Sequence, residues 1–363
     1  KVTLRQVNEY LHHHELSGQS TEKIEILNPN GIHSIAVGLD AAVDVHIRGH
    51  AGYYIAGMNK QANVTVHGNV GWGVAENIMS GMVRVNLKGL RERGSLDLVE
   101  TEIGGIRVGG LVTLTQLSTH PLVAAQYRVL AEAAGSAATP QIRNVGTVAG
   151  NICQRPWCWY FRQNFPCYKH GGNQCFSRVG ENEFNAIFGG GPSYIVHPSD
   201  TAPALIALGA SFRIVGPTGE RVVPASDFFT LPRVDVSREN ILEPNEVLAD
   251  IHVPSASGLR STYAKVLDRE AWTHAVVSVA LALEMDGDVV RRAGVVLGGV
   301  APIPWQPEAV EELLAGQRVT ESLAAEAGRL AVDGARPLSK NGYKVTLAEN
   351  LVRNTLQSLA SEA

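Results

Sequence analysis

Thr139-Pro140-Gln141-Ile142-Arg143-Asn144-Val145-Gly146-Thr147-Val148-Ala149-Gly150-Asn151 is the stretch on which the reading of this chain turns. Between Gly146 and Gly150 the residues are small, so the backbone can approach a ligand closely, with N–H groups free to meet phosphate oxygens. Taken alone, the pattern equally describes a plain tight turn. No Gly-Lys-Ser/Thr follows, which excludes a P-loop, and the glycine spacing is not that of a Rossmann dinucleotide turn. Upstream, Gly105 to Leu114 reads as a strand followed by a turn. Pro121 to Ala134 reads as an Ala/Leu-rich helix with Gly135 as its stop. Downstream, Thr201 to Leu208 reads as a helix for which Asp200 is a candidate N-cap.

Just past the opening stretch lie all four cysteines of the chain, Cys153, Cys158, Cys167 and Cys175, spaced C-x4-C-x8-C-x7-C. A disulfide framework in a chain of 363 residues would spread its bridges, so confinement to one short run argues for metal. Four thiolates suit tetrahedral zinc or a 4Fe–4S cluster. Structural zinc usually draws on paired CxxC knuckles, and none occurs here. Trp157, Trp159, Tyr160, Phe161 and Phe165 could keep water from a redox centre, and Gly171 and Gly172 would let backbone N–H groups turn toward sulfur. Plain aromatic packing and free thiols are the alternatives.

A third pattern lies at the other end. From Val43 to Leu87 the chain aligns with itself at a period of 19 residues: Val45, Val64 and Val83 coincide, as do Ile47, Val66 and Val85, Gly49 and Gly68, Gly52 and Gly71. A short strand and a glycine-rich turn repeating at this length predict a solenoid whose coils stack their apolar faces. The period fails near Val85. His12-His13-His14 is read as a solvated cluster, since adjacent residues point in different directions.

Bulk composition excludes several classes. A net charge of −4 and a pI of 6.3 offer no electrostatic case for nucleic acid or an anionic membrane. Mean hydropathy is near zero, and no apolar run of about 20 residues could span a bilayer. With no charged-then-apolar leader at the start, the chain is expected to be cytoplasmic.

Ala138 to Asn151, His197-Pro198-Ser199-Asp200 and Tyr263-Ala264-Lys265-Val266 resemble the FAD-binding subunit of molybdenum hydroxylases, the xanthine dehydrogenase, carbon monoxide dehydrogenase and aldehyde oxidoreductase relatives. The resemblance runs from about Asn86 to the C-terminus. It implies an α+β fold: a two-lobed FAD-binding domain over 86–258 with the Cys-rich insert 153–175, then a smaller α+β domain over 259–363. It assigns cofactor binding to Arg143, Asn144, Gly146, Thr147, Val148, Ala149, Gly150 and Asn151, with Thr147 to Asn151 as one of two loops cradling the FAD pyrophosphate. Asp200 would bond ribityl or ribose hydroxyls, and Lys265 would lie near the flavin ring, where a cation can stabilise reduced flavin. An N-cap for Asp200 and a solvated strand charge for Lys265 are the competing readings.

A subset of these subunits, in 4-hydroxybenzoyl-CoA reductase and a periplasmic aldehyde oxidoreductase, carries a 4Fe–4S cluster in an insert at this position. The second has a run similar to Gln154 to Phe161. That resemblance implies Cys153, Cys158, Cys167 and Cys175 as cluster ligands, Cys153 the least anchored by the match. It also leaves a periplasmic complex open.

Residues 1–85 resemble instead the GXGXG β-helix domain of glutamate synthase and N-methylglutamate synthase, through Gly49 to Asn59 and Gly73 to Gly81. The implied architecture is a truncated right-handed β-helix joined near Val85 to a flavoprotein. The family's other pyrophosphate loop, an Ala-Gly-Gly-Thr stretch before the segment at Asn86, is absent. The expected function is an electron-transfer subunit holding FAD and a 4Fe–4S cluster. It would work with a molybdopterin-binding large subunit and a 2Fe–2S small subunit, and contact neither nucleic acid nor membrane. The rival expectation, favoured by the missing loop, is a non-catalytic scaffold or chimeric fusion that has lost flavin binding.

Overall fold

The computed structural model describes residues 3–16, 23–29, 32–40, 42–49, 51–52, 55–67, 82–85, 97–101, 104–269 and 274–361. The chain divides into two compact units, Lys1–Gly94 and Ser95–Ala363. Residues 86–90, where the sequence places the junction, and Gly68 to Gly81 lie outside the described residues.

In the first unit, helix α1 (Leu4–Leu16) precedes four strands, β1 (Lys23–Leu27), β2 (Asp44–Arg48), β3 (Asn63–His67) and β4 (Met82–Val85). They pair in chain order, all parallel. Val45 pairs with Val64 and Val64 with Val83; Ile47 pairs with Val66 and Val66 with Val85. These are the partners that the 19-residue alignment names. Val45, Ile47, Val64 and Val66 are fully buried, because alternate residues of a strand share one face. The connections stack as well. Ala36 and Ala56 hold the same left-handed bend, with φ of 58° and 56°, and Ala56 N–H donates to Ile35 O at 2.9 Å. The buried Asn59 accepts from Leu39 N–H at 2.8 Å. Of the three histidines, His12 lies 3.1 Å from the Val37 carbonyl; nothing is described of the side chains of His13 and His14.

The second unit opens with β5 (Leu98–Glu100) and β6 (Ile106–Gly109), then a run of short helices: α2 (Leu114–Thr119), α3 (Pro121–Gln126), α4 (Arg128–Ser136), α5 (Pro140–Val145), α6 (Val148–Ile152), α7 (Trp159–Arg162) and α8 (Thr201–Ala207). The expected helix over 121–134 is two helices, broken at Tyr127, whose ring is buried and whose hydroxyl donates to Pro254 O. Gly135 does not stop it; the second helix runs on to Ser136. Strands β7 (Ser211–Gly216), β8 (Gly219–Pro224) and β9 (Val247–Val253) complete a five-stranded sheet in the order β5-β6-β9-β7-β8.

A second, antiparallel sheet follows, β10 (Leu259–Val266), β11 (Val277–Asp286) and β12 (Val289–Gly298), then α9 (Glu308–Leu314), α10 (Glu321–Ala331) and α11 (Tyr343–Ser361). Strand β11 divides two cores by its alternation. Ala280 and Ala282 face the core shared with α4, α6 and α8, whereas Val277, Val279, Leu281 and Leu283 face the core shared with α9–α11. That double burial is why β11 reads as a near-continuous apolar run.

Candidate functional site

A cavity of about 590 Å³ opens between the glycine-rich stretch and the cysteine-rich one. Its first wall is Gly146, Thr147, Gly150 and Asn151, at the turn from α5 into α6. Thr139 caps α5 with Pro140 at its first position, and Thr147 caps α6, its Oγ1 accepting from Gly150 N–H at 3.1 Å. The turn lies against the sheet because Gly110 has no side chain; a Cβ there would stand 2.6 Å from Leu248 O and 3.2 Å from the Ala149 Cβ.

The expectation that this backbone keeps N–H groups free for phosphate fails at four of its donors. Val148 N–H donates to Val112 O at 2.8 Å, Ala149 N–H to Gly110 O at 3.0 Å, and Asn151 N–H to Thr147 O at 2.8 Å. With Gly150 N–H on Thr147, four consecutive donors serve the fold itself. The cause is that the turn is also a sheet contact and a helix start, each with its own need for donors.

The ten residues expected to bind the cofactor divide evenly. Gly146, Thr147, Gly150, Asn151 and Asp200 line the cavity. Arg143, Asn144, Val148, Ala149 and Lys265 stand behind the lining. Arg143 Nη1 donates to Ala137 O at 2.7 Å, Asn144 Oδ1 accepts from Thr115 Oγ1 at 2.7 Å, Val148 is buried, and Ala149 packs on the core. Asn151 lines the cavity and braces it too, its Oδ1 accepting from Ser199 Oγ at 2.6 Å and Thr201 Oγ1 at 2.7 Å.

Asp200 stands at the N-cap of α8, but its side chain makes no cap bond. One oxygen accepts from Tyr263 Oη at 2.7 Å and the other from Lys265 Nζ at 2.9 Å; that ammonium also donates to Ser136 O at 3.0 Å. Both side chains are about 95% buried, so the reading of Lys265 as a solvated charge falls. Burial pushes the Asp200 carboxyl up, and Lys265 and Tyr263 pull it back down. Burial, then the Asp200 charge, holds the Tyr263 phenol well above its ordinary value. The three form a neutralised brace under the cavity floor.

The second wall comes from residues that the motif did not mark. Trp157, Trp159 and Arg162 of the cysteine-rich segment line the cavity with Phe184 and His274. Trp157 packs edge-on against Trp159, Phe184 and His274, with ring centroids 5.1 to 5.9 Å apart. Burial, with the charges of Arg162 and Lys265, lowers His274 to about 3, so its ring is neutral. The aromatic density of 157–165 was the available sequence signal, read there as a shield for metal rather than as a cavity wall.

The cysteine-rich segment is fastened to the body by a buried pair: Lys169 Nζ donates to Glu239 Oε1 at 2.5 Å and to Arg238 O at 3.1 Å. Cys158 is buried, and its sulfur accepts from the backbone N–H groups of Phe161 and Tyr160 and lies within the field of Cys175. Cys175 Sγ lies 3.0 Å from Ser177 Oγ, and Cys167 Sγ 3.9 Å from His170 Nδ1. Gly171 and Gly172 do not aim at sulfur as expected; their N–H groups donate to Tyr168 O and Cys167 O. Cys153 packs against the main core, where burial raises its thiol to about 12. All four are free, and among the described residues no three His, Cys, Asp or Glu side chains converge on a single ion.

Residues 58–256 match the FAD binding domain in molybdopterin dehydrogenase, and residues 262–359 the CO dehydrogenase flavoprotein C-terminal domain. The chain is similar to the aldehyde oxidoreductase FAD-binding subunit PaoB of Escherichia coli (strain K12), 36% identical over 275 residues, 74% of this chain and 81% of that one. It is also similar to Protein GlxC of Rhizobium meliloti (strain 1021), 50% identical over 80 residues, 22% of this chain and 35% of that one. Among solved structures it resembles the carbon monoxide dehydrogenase of Hydrogenophaga pseudoflava lacking the Mo-pyranopterin moiety. The TM-score is 0.57 at 25% identity, over 77% of this chain and 82% of that one. The chain belongs to the family of FAD-binding medium subunits of the molybdenum-cofactor oxidoreductases.

Proposed function

We propose that the chain holds FAD in the cavity between the glycine turn and the cysteine-rich segment. There it would exchange electrons with the 2Fe–2S clusters of a small subunit, in a complex whose large subunit carries the molybdopterin. The observation that carries this reading is the convergence on one cavity of Gly146, Thr147, Gly150, Asn151 and Asp200, residues from two distant parts of the sequence. The residues fit the group. The turn presents no side chain at Gly146 and Gly150, where an added Cβ would stand 2.9 Å from Ile142 O and 3.0 Å from Thr147 Oγ1. Trp157 and Trp159 supply flat apolar surface for an aromatic ring. When bound, the flavin supplies the redox chemistry; this chain's residues bind it, orient it and keep water away. The Asp200–Lys265–Tyr263 brace fixes the floor.

The cysteine-rich segment is read as the holder of a 4Fe–4S cluster. Two N–H donors on Cys158 Sγ, a hydroxyl beside Cys175 and the field between those two sulfurs support it. A cluster takes one thiolate per iron, so its ligands stand further apart than those of a single ion. Cys153 would serve as the fourth ligand, its thiol losing its proton to solvent as the metal takes its place. Residues 1–85 are read as a fragment of a GXGXG-type right-handed β-helix. The in-register parallel ladder and the recurring bends support it.

The test is a visible spectrum of anaerobically purified protein, with flavin and iron assayed on the same sample. One flavin and about four irons per chain are expected. Iron without flavin would leave a cluster-bearing scaffold in place of an electron carrier.

A further inference from the structure

The cavity contains a cation with little to hold it. Arg162 ends α7 inside the cysteine-rich segment, and it lines the same cavity as Gly146, Thr147 and Gly150. A guanidinium has five N–H donors. Among the described residues this one makes a single side-chain hydrogen bond, from Nε to Pro156 O, at a long 3.4 Å. Arg269, the other cation of the lining, is already engaged, and Asp200 is neutralised by Lys265 and Tyr263.

The glycine turn on the opposite wall brings no charged side chain, and the N–H groups of Val148, Ala149, Gly150 and Asn151 are spent within the fold. An anionic ligand in this cavity therefore needs a counter-charge from elsewhere. Arg162 has the right sign, and a planar fork that suits phosphate oxygens. It is exposed at the cavity, so it can turn toward a ligand without unfolding anything. It also reaches in two directions. Its charge acts on His274 inside the cavity, and Cys158 acts on it from behind; its own N–H donates to Cys158 O at 2.9 Å.

We propose that Arg162 is the anion-binding residue of this cavity and pairs with the diphosphate of the bound dinucleotide. The segment that carries the cysteines thereby supplies a ligand to the flavin site. This inference rests on the reading of the cavity as an FAD site. It makes the insert a structural part of that site, and it answers how a chain lacking one pyrophosphate loop holds a dianionic linker. Arg162 is a cofactor-positioning residue, and its charge is felt by both Cys158 and His274.

The experiment is FAD titration of the full chain after flavin removal, followed by flavin fluorescence, in wild type, Arg162→Gln and Arg162→Lys. Riboflavin, which has no phosphate, is titrated in parallel, and iron per chain is assayed on each sample. Arg162→Gln is expected to weaken FAD about tenfold or more, the loss of a charge-assisted pair. Arg162→Lys should recover part of that loss, riboflavin binding and iron content should be unchanged, and the flavin midpoint potential should move to more negative values. FAD bound equally well by Arg162→Gln overturns the inference while leaving the flavin reading intact. So does an equal loss for riboflavin, which would mark a general disturbance of the wall. Failure of wild type to take up FAD at all overturns the flavin reading and this inference with it.

Discussion

The stacked strands of 23–85 and the cavity walls of 137–275 are held together in opposite ways. In the stack, buried residues answer to their equivalents one strand away: Val45 to Val64, Ile47 to Val66, and the bend at Ala36 to the bend at Ala56. Around the cavity no residue has an equivalent. Asp200 is braced by Lys265, Asn151 by Ser199 and Thr201, and the turn at Val148 by Val112. A stack spreads its stability over nearest neighbours, so a defect stays local. A convergent site depends on single bonds between distant segments, so the loss of one partner strands another. The comparison is breakable, because the two arrangements predict different costs for comparable injuries.

The largest cost belongs to Lys265→Met. It leaves the Asp200 carboxylate buried with only Tyr263 as donor, and breaking a buried pair from one side costs about 3–5 kcal/mol. The remedy has a sign. Burial already holds the Asp200 carboxyl above its ordinary value, so the folded form takes up a proton before the unfolded form does. The stability this group contributes is therefore present at low pH and lost as pH rises, and the Lys265→Met deficit should shrink on acidification. Urea unfolding at several pH values checks it. The double variant Asp200→Asn, Lys265→Met should regain most of the loss. A deficit under 1 kcal/mol, or one that grows in acid, would show that the brace is not what holds the floor.

His197 supplies the next effect, and it runs in the opposite direction with pH. The ring is buried and held neutral, its value lowered from 6.5 to about 4 chiefly by burial. Between those values the unfolded chain binds the proton and the folded chain does not, so stability falls as pH falls through that window. The slope is about 1.4 kcal/mol per pH unit and the total about 3 kcal/mol. His197→Asn should flatten the acid limb of the unfolding curve by one proton. No change in the proton count of that limb would contradict the assignment.

For the stack, Ile47→Val removes one buried methylene and should cost about 1 kcal/mol. The distinguishing feature is where that cost appears. Amide hydrogen exchange should speed up in 23–85 and leave the protected amides of 95–363 as they were. Equal acceleration in both units would break the contrast drawn above.

The same contrast explains what could be read from sequence. A repeat writes its register into the chain, so the pairing of Val45, Val64 and Val83 is legible in the sequence itself. Helix α8 was legible as an apolar run behind a capping residue, and it is buried along its whole length. The cavity leaves no period. Asp200 and Lys265 were found only through resemblance, and their bond to each other was invisible because 65 residues separate them. Trp157 and Trp159 were hidden by a stronger neighbour, since the cysteines drew the aromatic residues of 157–165 into a metal reading, and Arg162 was not singled out at all. The N–H groups of Val148 to Asn151 were misjudged because a small-residue turn signals access, while two of the donors go to Val112 and Gly110, far up the chain, and two to Thr147 as α6 starts.

Thr147 carries the smallest effect, and it bears directly on those donors. Its Oγ1 caps α6 by accepting from Gly150 N–H, and Thr147→Ala should cost about 0.5–1 kcal/mol. It should also release the Gly150 donor toward the cavity. If the turn contributes shape alone, as its spent donors imply, the variant loses stability while FAD affinity stays level or rises slightly as Gly150 N–H turns to the ligand. If Thr147 itself contacts the ligand, affinity falls along with stability, and Thr147→Ser restores both. Measuring unfolding and flavin affinity on the same three proteins separates the two, because a cap and a ligand contact lose the same hydroxyl but report it on different axes.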